Sequence, residues 1–172
     1  MELGQAVKIK QAKGFSLIEL IIVIAILGIV SAIAAPNFNK YRQNTNLREA
    51  ARDLSSDIAL YRQRAVAENC IYQIVLNQAT NSYTVQREPP PGSVAEACLA
   101  LVPAVTKSPG NISAQITIFD ITFPSAQITI QPRGTTSAGK VTLHHAGLPD
   151  GEANMDIIAN PMGRVRVKYG PI

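Results

Sequence analysis

The most prominent hydrophobic pattern in the chain is a long apolar run near its N-terminus. From Phe15 to Ala35, Glu19 is the only charged side chain. An α-helix rises about 1.5 Å per residue, so a helix of this length crosses a bilayer core of about 30 Å. A carboxylate inside it costs about 2.5–3.5 kcal/mol on insertion scales and therefore usually has a partner. The pattern predicts a transmembrane helix over residues 15–36, in which Glu19 contacts a specific partner.

Helical periodicity continues beyond this run as one apolar stripe. Its members recur at steps of three and four residues: Leu47, Ala51, Leu54, Ile58, Tyr61 and Ala65. Arginine and aspartate side chains occupy the other faces, which is typical of a helix that lies against a domain. The sequence predicts one helix from Ser16 to Glu68, in which residues 37–68 are an amphipathic continuation. Gly28 and Pro36 are its weak points, because proline removes a backbone donor.

After the helix the pattern changes to short alternating segments separated by turn residues, which is typical of antiparallel strands. The predicted strands are Tyr72–Leu76, Ser82–Gln86, Ile116–Asp120, Gln127–Gln131, Lys140–His144, Met155–Ala159 and Arg164–Lys168. Residues 88–109, which begin with a run of prolines, are predicted to form an irregular loop. The expected fold class is α+β, with antiparallel sheets of a head domain, residues 69–172, packed on the second half of the helix.

Composition and charge exclude several function classes. Aromatic residues make up 5% of the chain and tryptophan is absent, which disfavours a lectin or an aromatic-cage binder. The formal net charge is +4, but without residues 1–14 there remain 13 basic and 11 acidic side chains, so global charge does not indicate nucleic-acid binding. The chain has no nucleophile elbow, zinc-binding helix or phosphate-binding glycine loop. We therefore expect no enzymatic activity, no cofactor and no metal site.

Two smaller polar features contain residue types that can bind metals. His144 and His145 are adjacent, so on a strand they point to opposite faces and cannot readily share a metal; we expect a solvated strand end. Asp150, Glu152 and Asp156 lack the spacing of a full calcium ligand set. Neither feature changes the expectation that the chain has no metal site.

The residues at the start of the apolar run resemble a processing signal. A lysine-rich segment, residues 8–13, precedes Gly14 and Phe15, and Glu19 stands four residues beyond the phenylalanine. This arrangement resembles the prepilin signature of type IV pilins and type II secretion pseudopilins. The resemblance implies that a prepilin peptidase removes residues 1–14 by cutting between Gly14 and Phe15, and that the new Phe15 amine is methylated. It also implies that Glu19 pairs with the Phe15 amine of a neighbouring subunit, which would compensate a buried carboxylate.

The C-terminal half carries a second resemblance. The segments Pro132-Arg133-Gly134-Thr135, Gly139-Lys140-Val141-Thr142-Leu143 and Gly163-Arg164-Val165-Arg166 resemble the GspH/FimT group of minor pilins and pseudopilins. The resemblance implies a pilin-like fold and a single-pass inner-membrane protein with a periplasmic C-terminal domain. It implies assembly with other pilin or pseudopilin subunits, either in a type II secretion system that exports folded exoproteins or in a type IV pilus.

The last predicted strand offers an alternative function. On an extended strand Arg164, Arg166 and Lys168 share one face, and successive cations stand about 6.5–7 Å apart. This is close to the phosphate spacing of an extended nucleic-acid strand, and arginine binds phosphate bidentately. In FimT-like pilins of naturally transformable bacteria the Gly-Arg-x-Arg region is implicated in catching DNA, so the resemblance implies Arg164 and Arg166 as DNA contacts. Geometry alone adds Lys168. The other interpretation is a basic edge strand that discourages aggregation.

Two further alternatives stay open. Ala32-Ile33-Ala34 matches a secretory cleavage site, which would release a soluble secreted β-protein that begins at Ala35; the long apolar core and Glu19 argue against it.

Cys70 and Cys98 are expected to form a disulfide in an oxidising compartment, with two unpaired buried thiols as the alternative.

Overall fold

The computed structural model describes residues 15–92, Cys98 and residues 104–169, and the chain divides into two compact units, Met1–Asn39 and Lys40–Ile172. The predicted leader, including Gly14, lies outside the described residues, as does part of the predicted loop 88–109. A helix, α1, covers Leu17–Glu68. Its end coincides with the predicted one, and its start differs by one residue.

The first unit carries its apolar side chains on its surface. Every large apolar residue from Phe15 to Ile33 exposes between 44% and 83% of its surface, and Glu19 is exposed among them. By length and hydropathy no single helix within the described residues qualifies as a membrane span, whereas Leu17–Ile33 and Asn37–Glu68 pass that test as a bent pair. An apolar surface of this extent requires a covering environment.

The second unit contains eight described strands in two antiparallel sheets. The strands are β1 (Ile71–Asn77), β2 (Ser82–Glu88), β3 (Val105–Lys107), β4 (Ile116–Ile121), β5 (Gln127–Ile130), β6 (Gly139–His145), β7 (Asn154–Ala159) and β8 (Val165–Tyr169). The first sheet has the order β3-β2-β1-β5, and the second has the order β4-β6-β7-β8. The predicted α+β class with antiparallel sheets is confirmed.

One hydrophobic core joins the helix to both sheets. All six residues of the predicted helical stripe are buried, and they pack against the inward faces of the strands. Alternating burial along β7 shows this packing, since Met155, Ile157 and Ala159 are buried while the residues between them are partly exposed. The 3.6-residue and two-residue periods of the sequence therefore meet in the same core.

The strand β3 lies within the segment predicted to be an irregular loop, so that prediction was wrong over Val105–Lys107. Lys107 lies opposite Tyr83 in the register of β2 and β3. Its ammonium group is 2.8 Å from a carboxylate oxygen of Asp57 on α1, and the Tyr83 hydroxyl donates to the same carboxylate at 2.8 Å. Burial and this hydrogen bond raise the pKa of Tyr83 far above its usual range. These contacts hold a three-residue strand that local sequence does not specify.

A disulfide joins Cys70 to Cys98, with their Cα atoms 5.8 Å apart. Cys70 lies between the end of α1 and the start of β1, and both cysteines are buried. The bond therefore ties the chain after β2 back to the end of the helix.

His145 is buried, contrary to the expectation of a solvated strand end. The segment between β6 and β7 folds over it: the backbone N–H of His145 donates to the carbonyl of Ala153, and that of Gly147 donates to His145 Nδ1 at 3.1 Å. Burial lowers the pKa of this imidazole. His144 faces the other way and contacts Asn154 Oδ1 at 2.9 Å. Within the described residues no group of three potential ligands could hold a metal.

Candidate functional site: an arginine-lined groove beside the last strand

Of the three basic residues that the sequence placed on one strand face, Arg166 and Lys168 lie in β8 and Arg164 directly precedes it. β8 begins at Val165, so Arg164 lies in the preceding turn. Its backbone N–H donates to Asn160 Oδ1 at 2.8 Å, and its carbonyl accepts from the N–H of Asn160 at 3.0 Å. The observed strand therefore starts one residue later than the predicted one.

Arg166 and Lys168 do share one face of β8. Val165 and Val167 pack against the core, whereas Arg166 and Lys168 are exposed on the outer face of the second sheet. Lys168 lies opposite Asp156 in the register of β7 and β8. Residues opposite each other on an antiparallel pair project from the same face. This outer face therefore contains Asp156 beside Arg166 and Lys168, and Asp156 is also 3.8 Å from the ammonium group of Lys140.

Arg164 lines a groove of about 750 Å³ between α1 and the turns that precede β8 and follow β5. Its described lining residues are Ser55, Ser56, Ala59, Arg62, Gln63, Val66, Ala67, Arg133, Gly134, Gly163, Arg164 and Val165. The helix supplies the residues that lie next to the core stripe on one side. We call this site the arginine groove.

Arg62 fixes the shape of the groove by filling the space above two glycines. Its Nε donates to the carbonyl oxygen of Gly134 at 2.7 Å. Gly134 and Gly163 have φ values of +80° and +75°, a region that residues with a Cβ rarely adopt. A Cβ on Gly163 would also fall against the Gly134 carbonyl and within 2.5 Å of Arg62 Nε. Two distant glycine turns are thus closed around one guanidinium group.

The electrostatics of the groove are one-sided. Arg133 and Arg164 are the chain neighbours of the two glycines that contact Arg62, so three arginines line the same groove. None of the described lining residues is acidic. In the part of the chain that the structure describes, no ion pair involves these arginines. Because the described lining carries three cations and no acid, an anionic group in the groove would be stabilised.

Sequence reasoning identified Arg164 and missed Arg62 and Arg133 as site residues. Arg133 stands in the Pro-Arg-Gly-Thr segment that the sequence singled out, so a signal was present. Arg62 carries no such signal, because its role depends on where the two turns meet the helix.

The comparison with protein families decides what kind of protein this is. The family described as type II transport protein GspH matches residues 50–163, which is more than half of the chain. The chain belongs to the GspH family. The prokaryotic N-terminal methylation motif matches residues 9–35. Both matches confirm the resemblance to minor pilins and pseudopilins of the GspH/FimT group.

Curated relatives of this GspH family member match over a limited length. A fimbrial protein of Pseudomonas aeruginosa is 47% identical over 47 residues, which are 27% of this chain and 30% of that protein. The type IV major pilin protein PilA of Myxococcus xanthus is 50% identical over 44 residues, 26% of this chain and 20% of that protein. The chain thus spans less than a third of either relative.

Solved structures share the fold over most of the chain. The minor pseudopilin EpsH of the Vibrio cholerae type 2 secretion system superposes with a TM-score of 0.53 at 10% identity, covering 72% of this chain and 97% of EpsH. The type IV minor pilin FimU of Pseudomonas aeruginosa gives a TM-score of 0.52 at 19% identity, covering 76% and 96%. The pilin-like fold of this GspH family member is confirmed.

Proposed function

We propose that this GspH family member is a minor subunit of a pilin-like filament, and that it serves protein secretion as a pseudopilin or acts in a type IV pilus. The observation that carries the proposal is the combination of an N-terminal methylation motif over residues 9–35 with a GspH domain over residues 50–163. The exposed apolar surface from Phe15 to Ile33 supports it, because lipid before assembly and neighbouring helices afterwards would cover that surface.

The proposed mechanism is mechanical, without enzymatic chemistry. A prepilin peptidase cuts between Gly14 and Phe15, and the protein stays in the inner membrane with its C-terminal domain in the periplasm. In the filament the apolar helices pack side by side, and Glu19 sets the register by pairing with the Phe15 amine of a neighbouring subunit. An opposite charge that meets this carboxylate in low dielectric removes the cost of leaving it unpaired.

The mature N-terminus and Glu19 provide the test. We expect mass spectrometry of the protein from its membrane to find an N-methylated terminus at Phe15, and Glu19→Ala to leave membrane insertion intact but to abolish most incorporation into sheared filaments. Glu19→Asp is the matched control, because it keeps the charge on a shorter side chain and should retain part of the incorporation. A mature terminus at Ala35 would make the protein a soluble secreted one, and normal incorporation of Glu19→Ala would overturn the register role.

Capture of extracellular DNA for uptake is the second candidate function. The exposed guanidinium groups of Arg164 and Arg166, with Lys168 further along β8, support it. Asp156 weakens the outer face for this purpose, since it lies opposite Lys168.

Salt-dependent binding tests this second function. If DNA is held through Arg164 and Arg166, the affinity of the full chain in nanodiscs should fall steeply with salt. Arg164→Ala/Arg166→Ala should reduce the slope of log K against log salt by about 2. Arg64→Ala/Arg52→Ala, on exposed positions of α1, is a control of equal charge change. Absence of binding at low salt, or equal losses in both variants, would leave the secretion or pilus role alone.

A further inference from the structure

We propose that the arginine groove binds an extended acidic segment of a partner protein, with carboxylates on the arginines and apolar side chains on the apolar residues of the lining. This assignment concerns a binding site of the folded second unit, and it stands whether or not the chain is a filament subunit. Charge complementarity is the first argument for it. The described lining combines Arg62, Arg133 and Arg164 with no acidic residue.

The groove is organised before any partner arrives. The hydrogen bond from Arg62 Nε to the Gly134 carbonyl holds this side chain, and its terminal nitrogens keep donors for a ligand. Asn160 holds the turn that includes Gly163. Its backbone N–H donates to the carbonyl of Arg164, and its side-chain oxygen accepts from the Arg164 N–H. Arg62, whose side chain is already held, therefore loses less conformational freedom when it binds a carboxylate.

The apolar residues of the lining determine which other side chains the partner needs. Four of the lining residues are apolar, Ala59, Val66, Ala67 and Val165, and Val66 exposes 55% of its surface. Ser55, Ser56 and Gln63 add hydrogen-bonding groups along the same side of α1. β8 is an edge strand of its sheet, which favours an extended chain beside it. A peptide that alternates acidic and apolar side chains matches both the arginines and the apolar residues of the lining.

A nucleic acid fits this groove less well. Its phosphates would find the arginines, but its bases would have no aromatic side chain to stack on among the described lining residues. The apolar residues of the lining would also stay exposed to solvent. The cations that suit a nucleic-acid backbone better, Arg166 and Lys168, lie on the outer face of the sheet and do not line the groove.

Fluorescence anisotropy with the full chain in zwitterionic nanodiscs tests the proposal. The probe is a short labelled peptide of alternating leucine and glutamate, compared with its leucine and glutamine counterpart and with a single-stranded oligonucleotide. Empty nanodiscs are the blank. We expect the glutamate peptide to bind, and Arg133→Gln/Arg164→Gln to weaken its binding by at least about tenfold through the lost charge-assisted hydrogen bonds.

Two further variants separate the groove from general charge. Arg166→Gln/Lys168→Gln removes the same charge from the outer face and should leave peptide binding within about twofold of the parent. Ala59→Trp places a large side chain in the apolar part of the lining and should weaken binding without any change in charge. Circular dichroism checks that each variant is folded.

The remaining outcomes overturn the proposal. Equal binding of the glutamate and glutamine peptides would mean that the arginines do not recognise carboxylates. Equal losses in the groove and outer-face variants would indicate screening by net charge. Preferential binding of the oligonucleotide, with loss in the outer-face variant, would assign a nucleic-acid surface in place of a peptide groove.

Discussion

Removing the disulfide by Cys70→Ala/Cys98→Ala is expected to lower the free energy of unfolding by about 3–4 kcal/mol. The bond closes a loop with a sequence separation of 28, and without it the unfolded chain regains the freedom of that loop. Both cysteines are buried, so alanine avoids placing a new polar group in the core. Urea denaturation of the full chain in nanodiscs, followed by near-ultraviolet circular dichroism, measures the loss.

Chemical reduction provides the control for this result. Reductant should shift the urea midpoint of the parent towards that of the double variant and should leave the variant where it is. If the double variant has the same urea midpoint as the unreduced parent, the closed loop does not limit the unfolded chain.

Replacing Asp57 with alanine is expected to destabilise the second unit by about 2–4 kcal/mol. The substitution leaves the buried hydroxyl of Tyr83 without its acceptor and removes the carboxylate 2.8 Å from Lys107. The side chain of Asp57 is 8% exposed, so water cannot replace the lost partner easily. Since Lys107 is 36% exposed and can regain hydration, the expected effect lies below that of a fully buried pair.

Asp53 is the matched control for Asp57. It lies one helical turn earlier and contacts the same ammonium group at 3.6 Å, but its side chain is 50% exposed. Asp53→Ala should therefore cost no more than about 1 kcal/mol. Thermal unfolding of both variants gives the comparison. Equal effects would mean that Lys107 forms only surface contacts, and that burial of Asp57 contributes nothing specific.

Much of the fold follows from sequence because its periodicities are strong. The helix could be predicted to within one residue, since the stripe from Leu47 to Ala65 and the apolar run before it have a clear helical period. Seven strands were predicted because alternation and turn residues mark them. β3 escaped prediction because Val105–Lys107 has no alternation of its own; it becomes a strand through pairing with β2 and through the distant carboxylate of Asp57.

The candidate site was only partly predictable, for a related reason. Alternation places Arg166 and Lys168 together, and the structure keeps them together. Arg164 directly precedes β8, and its backbone N–H and carbonyl are hydrogen-bonded to Asn160. Arg62 could not be found at all, because it meets Gly134 and Gly163 only after three distant segments have packed.

The contact of Arg62 with these two turns also gives the second unit a path for mechanical load. Gly134 belongs to the turn that follows β5 of the first sheet, and Gly163 to the turn that precedes β8 of the second sheet. A pull along α1 therefore reaches both sheets at this level through a side chain that is hydrogen-bonded to one turn and packed on the other. A force that pulls on the helix while the second unit is held in place would be shared between the two sheets. Neither sheet would then have to separate from the helix alone.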